Sequence, residues 1–246
     1  MTGKSILCLL IACSFFSATP PHDVRIMTYN IRNAMGMDKK KDFDRVARVI
    51  RQAGPDFVAL QELDSGTNRS GNRYVLQEVA NRCGYQYCYS AAIPFDGGSY
   101  GIGLMSREKP LRVVRVPLPG SEEKRTLLMA EFRKLVLFVV HLSLTETDRD
   151  SAAVLINAQL KRFHKPVFLA GDFNAEPGSP AIGLLQTNGW TLLSGESFTF
   201  PSNAPDRCID YVFAAPGNAC KTIHHQVIAD TMASDHRPVL VNVTLP

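Results

Sequence analysis

The stretch Val167-Phe168-Leu169-Ala170-Gly171-Asp172-Phe173-Asn174 begins as a short apolar run and ends in an acid and an amide. A run of that length, apolar at odd and even positions alike, has no polar face to turn to water and reads as a strand buried on both sides. The same construction recurs. Residues 24–29 end at Asn30, residues 57–60 at Gln61-Glu62, and residues 135–140 at His141. Strands lying side by side under helices bring such ends to one rim, where α/β folds build their sites.

Helical periodicity fills the intervals. Residues 42–53 place Phe43, Val46, Ala47 and Ile50 on one face before Pro55 ends the segment. Residues 74–83 turn Val75, Leu76, Val79 and Ala80 inward and stop at Gly84. A third helix is expected over 151–163, ahead of the strand at 167–170, and Ser179-Pro180 supplies an N-cap and a first-turn proline for a short fourth. Between these lie runs at 102–106, 112–116, 127–132 and 135–140 with no room for helices, which implies antiparallel pairing. The end of the chain is β again, at 209–213, 222–228 and 239–243. The pattern is that of an α/β or α+β sandwich.

At 246 residues with no linker-like tract, the chain is read as one domain over 23–246 behind a leader at 1–22. An apolar content of 45% with 20% charged residues excludes disorder, and a net charge of +4 falls well short of a dense nucleic-acid-binding stripe. Lys4 followed by an apolar stretch over 6–16 that breaks at Thr19-Pro20-Pro21 reads as a secretory signal, too short to span a bilayer. Two processing routes fit it: lipidation at Cys13, within Leu10-Ile11-Ala12-Cys13, or cleavage near Ala18. Either makes the protein exported, whether periplasmic, secreted or an outer-membrane lipoprotein. Cys83, Cys88, Cys208 and Cys220 then allow one or two disulfides, with four buried thiols as the alternative.

Each polar strand end has a structural explanation by itself, since Asp and Asn form turns and a strand-end His is usually satisfied within the fold. Their joint occurrence, with Arg207-Cys208-Ile209-Asp210-Tyr211 and Ser234-Asp235-His236-Arg237-Pro238, points to a site. In the motifs Thr28-Tyr29-Asn30-Ile31-Arg32, Leu60-Gln61-Glu62, Tyr100-Gly101-Ile102-Gly103-Leu104-Met105-Ser106, Gly171-Asp172-Phe173-Asn174-Ala175-Glu176-Pro177, Ile209-Asp210-Tyr211 and Ser234-Asp235-His236, the chain resembles the endonuclease/exonuclease/phosphatase superfamily, the DNase I-like metal-dependent hydrolases. The resemblance implies a four-layer sandwich: two mixed, largely antiparallel β-sheets face to face with helices on both outer sides.

The residue types make chemical sense independently. Glu62, Asn30 and the carboxylate of Asp172 or Asp235 are hard oxygen ligands suited to Mg²⁺, or to Mn²⁺, rather than to a thiolate-seeking metal. The resemblance implies metal ligation by Asn30, Glu62 and Asp235, with Glu62 the principal ligand. It makes Asp172 the acceptor of a proton from the attacking water, with Asn174 placing that water or a phosphoryl oxygen. His141 and His236 are implied as donors to the phosphoryl oxygens, with Asp235 orienting its neighbour His236 and Asp210 supporting His141 or the metal shell. Arg125 reads as an exposed charge at a strand start, with contact to a phosphate as the alternative, and Tyr100 and Tyr211 as core, with pocket lining as theirs.

Superfamily resemblance implies a reaction class rather than a substrate. Tyr29-Asn30-Ile31, Leu63-Asp64 after Glu62, and Arg69-Ser70-Gly71 resemble the compact bacterial hydrolases and sphingomyelinase-like phosphodiesterases more than the abasic-site nucleases. The expectation is therefore a monomeric phosphoesterase, without an obligate protein partner, acting on a small organic or lipid phosphoester. The alternatives are an exported scavenging nuclease and a binding module that has lost catalysis. A decayed module normally lacks one of the Glu, Asp or His positions, all of which are present here.

Overall fold

The computed structural model describes residues 22–245, so the leader expected at 1–22, with Cys13 and Ala18, lies outside the described residues apart from His22. In chain order the elements are β1 (His22–Asn30), α1 (Phe43–Ala53), β2 (Phe57–Ser65), α2 (Val75–Cys83), β3 (Gln86–Phe95), β4 (Gly98–Ser106), β5 (Arg112–Leu118), β6 (Arg125–Glu131) and β7 (Val136–His141). They continue with α3 (Glu146–Gln159), β8 (Val167–Asp172), α4 (Pro180–Thr187), β9 (Thr191–Leu192), β10 (Asp210–Ala214), β11 (Lys221–Val227) and β12 (Val239–Leu245).

The strands form two six-stranded sheets, ordered β11-β12-β1-β2-β4-β3 and β5-β6-β7-β8-β10-β9. Each has one parallel pair at its centre, β1 with β2 and β7 with β8, and antiparallel neighbours elsewhere. The parallel pairs follow from the helices: α1 carries the chain from β1 to β2, and α3 from β7 to β8, each returning it in the same direction.

Alternation along the central strands builds the layers. Ile26, Phe57, Ala59, Leu137, Val139, Phe168, Ala170 and Val212 fill the space between the sheets. Their neighbours Met27, Val58 and Leu60 pack under α1 and α2, and Val136, Phe138, Leu169 and Phe213 under α3 and α4. Both faces are covered, which is why these strands read as continuous apolar runs. Asp42 caps α1 by accepting from Arg45 N at 2.9 Å, and Gly54 closes it in the left-handed region.

Three sequence expectations are corrected. Strands β3 and β9 match no apolar run, because β3 is an edge strand with mixed exposure and β9 has only two residues. The third helix begins at Glu146 rather than Ser151; its first turn carries Glu146 and Asp148, which suit the positive end of a helix dipole but show no apolar period. The cysteines, open between disulfides and four buried thiols, are free thiols of which only Cys208 is buried, while Cys83, Cys88 and Cys220 are half-buried.

Candidate active site

The inter-sheet parity of Ile26, Leu137, Val139, Phe168, Ala170 and Val212 carries directly to Asn30, His141, Asp172 and Asp210 at the strand ends. Register aligns them, with Asn30 opposite Gln61, and Asp172 flanked by His141 on one side and Asp210 on the other. Glu62 has the wrong parity for this group and reaches it through a bulge. The β2–β4 register shifts between Leu60 and Leu63, and Glu62 takes a left-handed φ of 59°. The extra residue turns Gln61 and Glu62 to the same side, so that Glu62 faces the cleft while Leu63 returns to the helix-side core. A non-glycine residue in that region carries local strain of the kind found at functional sites.

Asn30 is the hinge of the cluster. Its Nδ2 donates to Glu62 Oε1 and to Asp172 Oδ2, both at 3.0 Å, and lies 3.4 Å from His236 Nε2, while its Oδ1 accepts from Arg32 N at 3.1 Å. Its Nδ2 ties two carboxylates together, and its Oδ1, the atom expected to face a metal, accepts one hydrogen bond from the backbone.

His236 has a different carboxylate partner from the one expected. Its Nδ1 lies 2.9 Å from Asp210 Oδ2, so the carboxylate that orients the imidazole is Asp210 rather than Asp235. Asp235 instead pairs with Arg32 at 3.3 Å. Thr199 Oγ1 donates to Asp210 Oδ2 at 2.6 Å, and the Phe200 ring lies 4.7 Å from that of His236. Thr199 and Phe200 sit in an irregular loop without pattern and escape a sequence reading.

The two imidazoles differ in protonation. Burial alone would lower the pKa of His236, but the charges of Asp210 and Asp172 and the hydrogen bond from Asp210 raise it to about 10. His141 is held down to about 4, chiefly by burial, against the pull of Asp172 and with added repulsion from Arg125 and His236. At neutral pH the site therefore holds one imidazolium and one neutral imidazole. Both Nε2 atoms face Asp172 Oδ2, at 3.6 Å from His141 and 3.7 Å from His236. Asp172 Oδ1 accepts from Asn174 N at 2.9 Å. Asn174 gives its Nδ2 to Leu142 O at 2.9 Å, which leaves its carbonyl oxygen as the group it can offer.

Arg125 is the residue that sequence reasoning undervalued. It is 7% exposed rather than exposed at a strand start, with Nη1 3.4 Å from His141 Nδ1 and 2.9 Å from Glu123, and Nη2 3.3 Å from Glu122. The preceding turn folds tightly enough that a side chain on Gly120 would collide with the Glu123 carbonyl. Arg125 can only donate, so His141 Nδ1 is an acceptor and its proton sits on Nε2, facing Asp172. Tyr100 is half-buried beside the site, its hydroxyl pKa raised by burial and then by the charges of Glu62 and Glu123. Tyr211 is core as expected, donating to Ala175 O and Cys208 O.

The donor set fits a divalent cation. Burial, followed by the charges of Asp235 and Asp172 against the relief given by Asn30, raises the pKa of Glu62. Donor atoms of Asp172, Asp210 and His236 lie within 4.8 Å of one another, but there the imidazolium already occupies the space between two carboxylates. Glu62, joined to Asp172 through Asn30, enters no ion pair among the described residues, and as a hard oxygen ligand it favours an ion such as Mg²⁺.

A two-sheet sandwich with two histidines and several carboxylates gathered at one rim defines the class of phosphoester hydrolases. Residues 27–236 match the model of the Endonuclease/Exonuclease/phosphatase family, and the chain belongs to that family. Its members are hydrolases of phosphoesters and generally depend on divalent metal. An endonuclease/exonuclease/phosphatase from Beutenbergia cavernae DSM 12333 is similar at 25% identity, covering 91% of this chain and 72% of that one with a TM-score of 0.71. The Bacteroides thetaiotaomicron mannosyl-6-phosphatase, at 18% identity over 89% and 99% of the two chains and a TM-score of 0.73, shares the fold. So does the human Nocturnin catalytic domain, at 20% identity over 91% and 93% with a TM-score of 0.70.

Proposed function

We propose that the protein is a Mg²⁺-dependent phosphoesterase that hydrolyses a phosphodiester or phosphomonoester bond of a small organic or lipid molecule by in-line attack of water. The observation that carries this is the pairing of an imidazolium and a neutral imidazole, each with an Nε2 directed at the same buried carboxylate. Glu62 and Asp172, bridged by Asn30, would hold the cation. When bound, it supplies charge neutralisation for an anionic ester and polarises the phosphoryl group.

The chain's own side chains supply the rest. Asp172 Oδ2 is the base for the attacking water, its direction set by Asn30 Nδ2 and, through Oδ1, by Asn174 N. The free carbonyl oxygen of Asn174 accepts from that water and orients it. His236 presents a positive N–H to the charge that spreads over the phosphoryl oxygens, and Asp210 keeps it protonated. His141 donates from Nε2 as a neutral group, its tautomer set by Arg125. Export, with either a lipid anchor at Cys13 or cleavage near Ala18, belongs to the same proposal, as does action as a monomer.

The test is a screen of the purified protein with Mg²⁺ against bis-p-nitrophenyl phosphate, p-nitrophenyl phosphate, plasmid DNA, RNA and phospholipid vesicles, with EDTA controls. Turnover of the small esters or phospholipid that EDTA abolishes and Mg²⁺ restores is expected. Turnover of nucleic acid alone would establish the scavenging nuclease instead, indifference to EDTA would overturn the metal dependence, and no turnover of any substrate would favour a binding module.

A further inference from the structure

Beside the site, on the side where the sheets end in β3 and β5, the two edge strands part to leave a groove of about 410 Å³. That volume lies within the range of small-molecule sites. Its walls include Ser90 and Ala92 from β3, Arg115 from β5, and Lys124, Arg125 and Thr126 at the start of β6. Two contacts tie the sheets together there: Ser90 Oγ and Thr126 Oγ1 lie 2.9 Å apart, and Arg115 Nε donates to Tyr89 O at 2.8 Å.

Three features make this groove an anion site. It carries three cations, Arg115, Lys124 and Arg125; among the described residues Arg115 and Lys124 enter no ion pair, and only Arg125 is paired, with Glu122 and Glu123. Arg125, more than nine-tenths buried, is a fixed part of the groove wall, its Nε shielded from solvent and without a hydrogen-bond partner. The groove also adjoins the active site, because Ala92, Arg125 and Thr126 form a wall shared with a second, smaller cavity that Glu123, Tyr100 and His141 also line. A molecule whose scissile phosphate sits at His141 and His236 therefore has a cationic recess next to it, across Arg125.

We propose that the groove between β3 and β5 is a second anion subsite, and that the substrate is a small molecule carrying a second phosphate a short spacer away from the one that is cleaved. This rests on the phosphoesterase reading of the neighbouring site and specifies its substrate class. At about 410 Å³ the groove has the volume of a small-molecule site, which suits a doubly phosphorylated small molecule better than a continuous strand.

The probes are propane-1,3-diol and pentane-1,5-diol bisphosphates against propyl and pentyl monophosphate, measured by calorimetry at buffered free Mg²⁺ and by competition with bis-p-nitrophenyl phosphate. At least one bisphosphate is expected to bind on the order of tenfold or more tighter than the matching monophosphate, as for a tethered second contact. In the Arg115→Ala/Lys124→Ala double variant, that ratio should fall to near one. Lys124→Glu, at an exposed position and with little effect expected on folding, should reduce it as well. Equal affinity for both phosphate classes at every spacer, or a preference that survives in both variants, overturns the subsite. A thymidine oligonucleotide series of two to six residues separates the sources: affinity that climbs with each added residue would mean a nucleic-acid track and overturn the proposal. If no substrate of the screen above is hydrolysed the phosphoesterase reading fails, while calorimetry still reports on the groove.

Discussion

Replacing Asp210 by Asn removes one charge while keeping the shape of the site. Asp210 Oδ2 lies 2.9 Å from His236 Nδ1, and an amide oxygen in the same place still accepts from the ring and from Thr199. What disappears is the first of the charges that raise the His236 pKa to about 10. The interval between that value and the ordinary ~6.5 corresponds to about 5 kcal/mol of preference for the imidazolium. Asp172, at 3.7 Å, makes the smaller contribution, and burial works against both. Without Asp210 the imidazole should therefore titrate at or below about 7, so that at pH 8 its protonated fraction falls from nearly complete to roughly a tenth. The direct assay is an NMR titration of ¹⁵N-histidine-labelled protein in EDTA, paired with a pH profile of kcat on bis-p-nitrophenyl phosphate in Mg²⁺. The alkaline limb should move to lower pH by two or more units. Stability follows with the same sign. Because the folded pKa lies above the unfolded one, the His236 contribution is complete below pH ~6.5 and is lost as the pH rises towards 10. Asp210→Asn should flatten that decline. If His236 in the variant remains protonated at pH 8.5, its charge originates elsewhere. If the ring is neutral and the rate unchanged, the imidazolium has no part in turnover.

Glu62→Gln relieves a carboxylate whose ionisation is opposed by burial and by Asp235 and Asp172, and Asn30 can still donate to the amide oxygen. Metal-free protein should melt a few degrees higher, the Mg²⁺-induced rise in melting temperature should vanish, and activity should be lost; thermal scans in EDTA and in Mg²⁺ check this. His141 works in the opposite direction from His236. Its folded pKa near 4 means that between pH ~6.5 and 4 the unfolded chain takes up a proton that the folded chain refuses, a loss of about 3 kcal/mol that urea midpoints should show and that His141→Asn should lessen. Alkylation of the unfolded mature protein without reductant should modify Cys83, Cys88, Cys208 and Cys220 alike, and a mass two or four units lower would contradict four free thiols.

Much of this was legible before any coordinates. Residues 24–29, 57–60, 135–140 and 167–170 are apolar on both faces because the sheets are covered on both sides, and each leads into a residue of the site. Edge strand β3 escaped because only a buried face imposes an apolar pattern, and the first turn of α3 escaped because its residues are held by charge rather than by packing.

The sequence by itself determined which residues reach the rim. Strand parity is a local property, and Asn30, His141, Asp172 and Asp210 inherit the inter-sheet direction from the apolar residues two and four positions away. Only the tertiary structure decided how they divide the work. Sequence adjacency pairs His236 with Asp235, but the pairing of β10 with β8 places Asp210 against the ring and leaves Asp235 to Arg32. Glu62 enters the cleft through a bulge that no spacing announces, and Arg125 is buried because a turn folds it against His141. The different protonation of the two histidines follows from those placements, since the pKa of a buried group depends on the charges within a few ångströms of it, and these come from segments far apart in the chain.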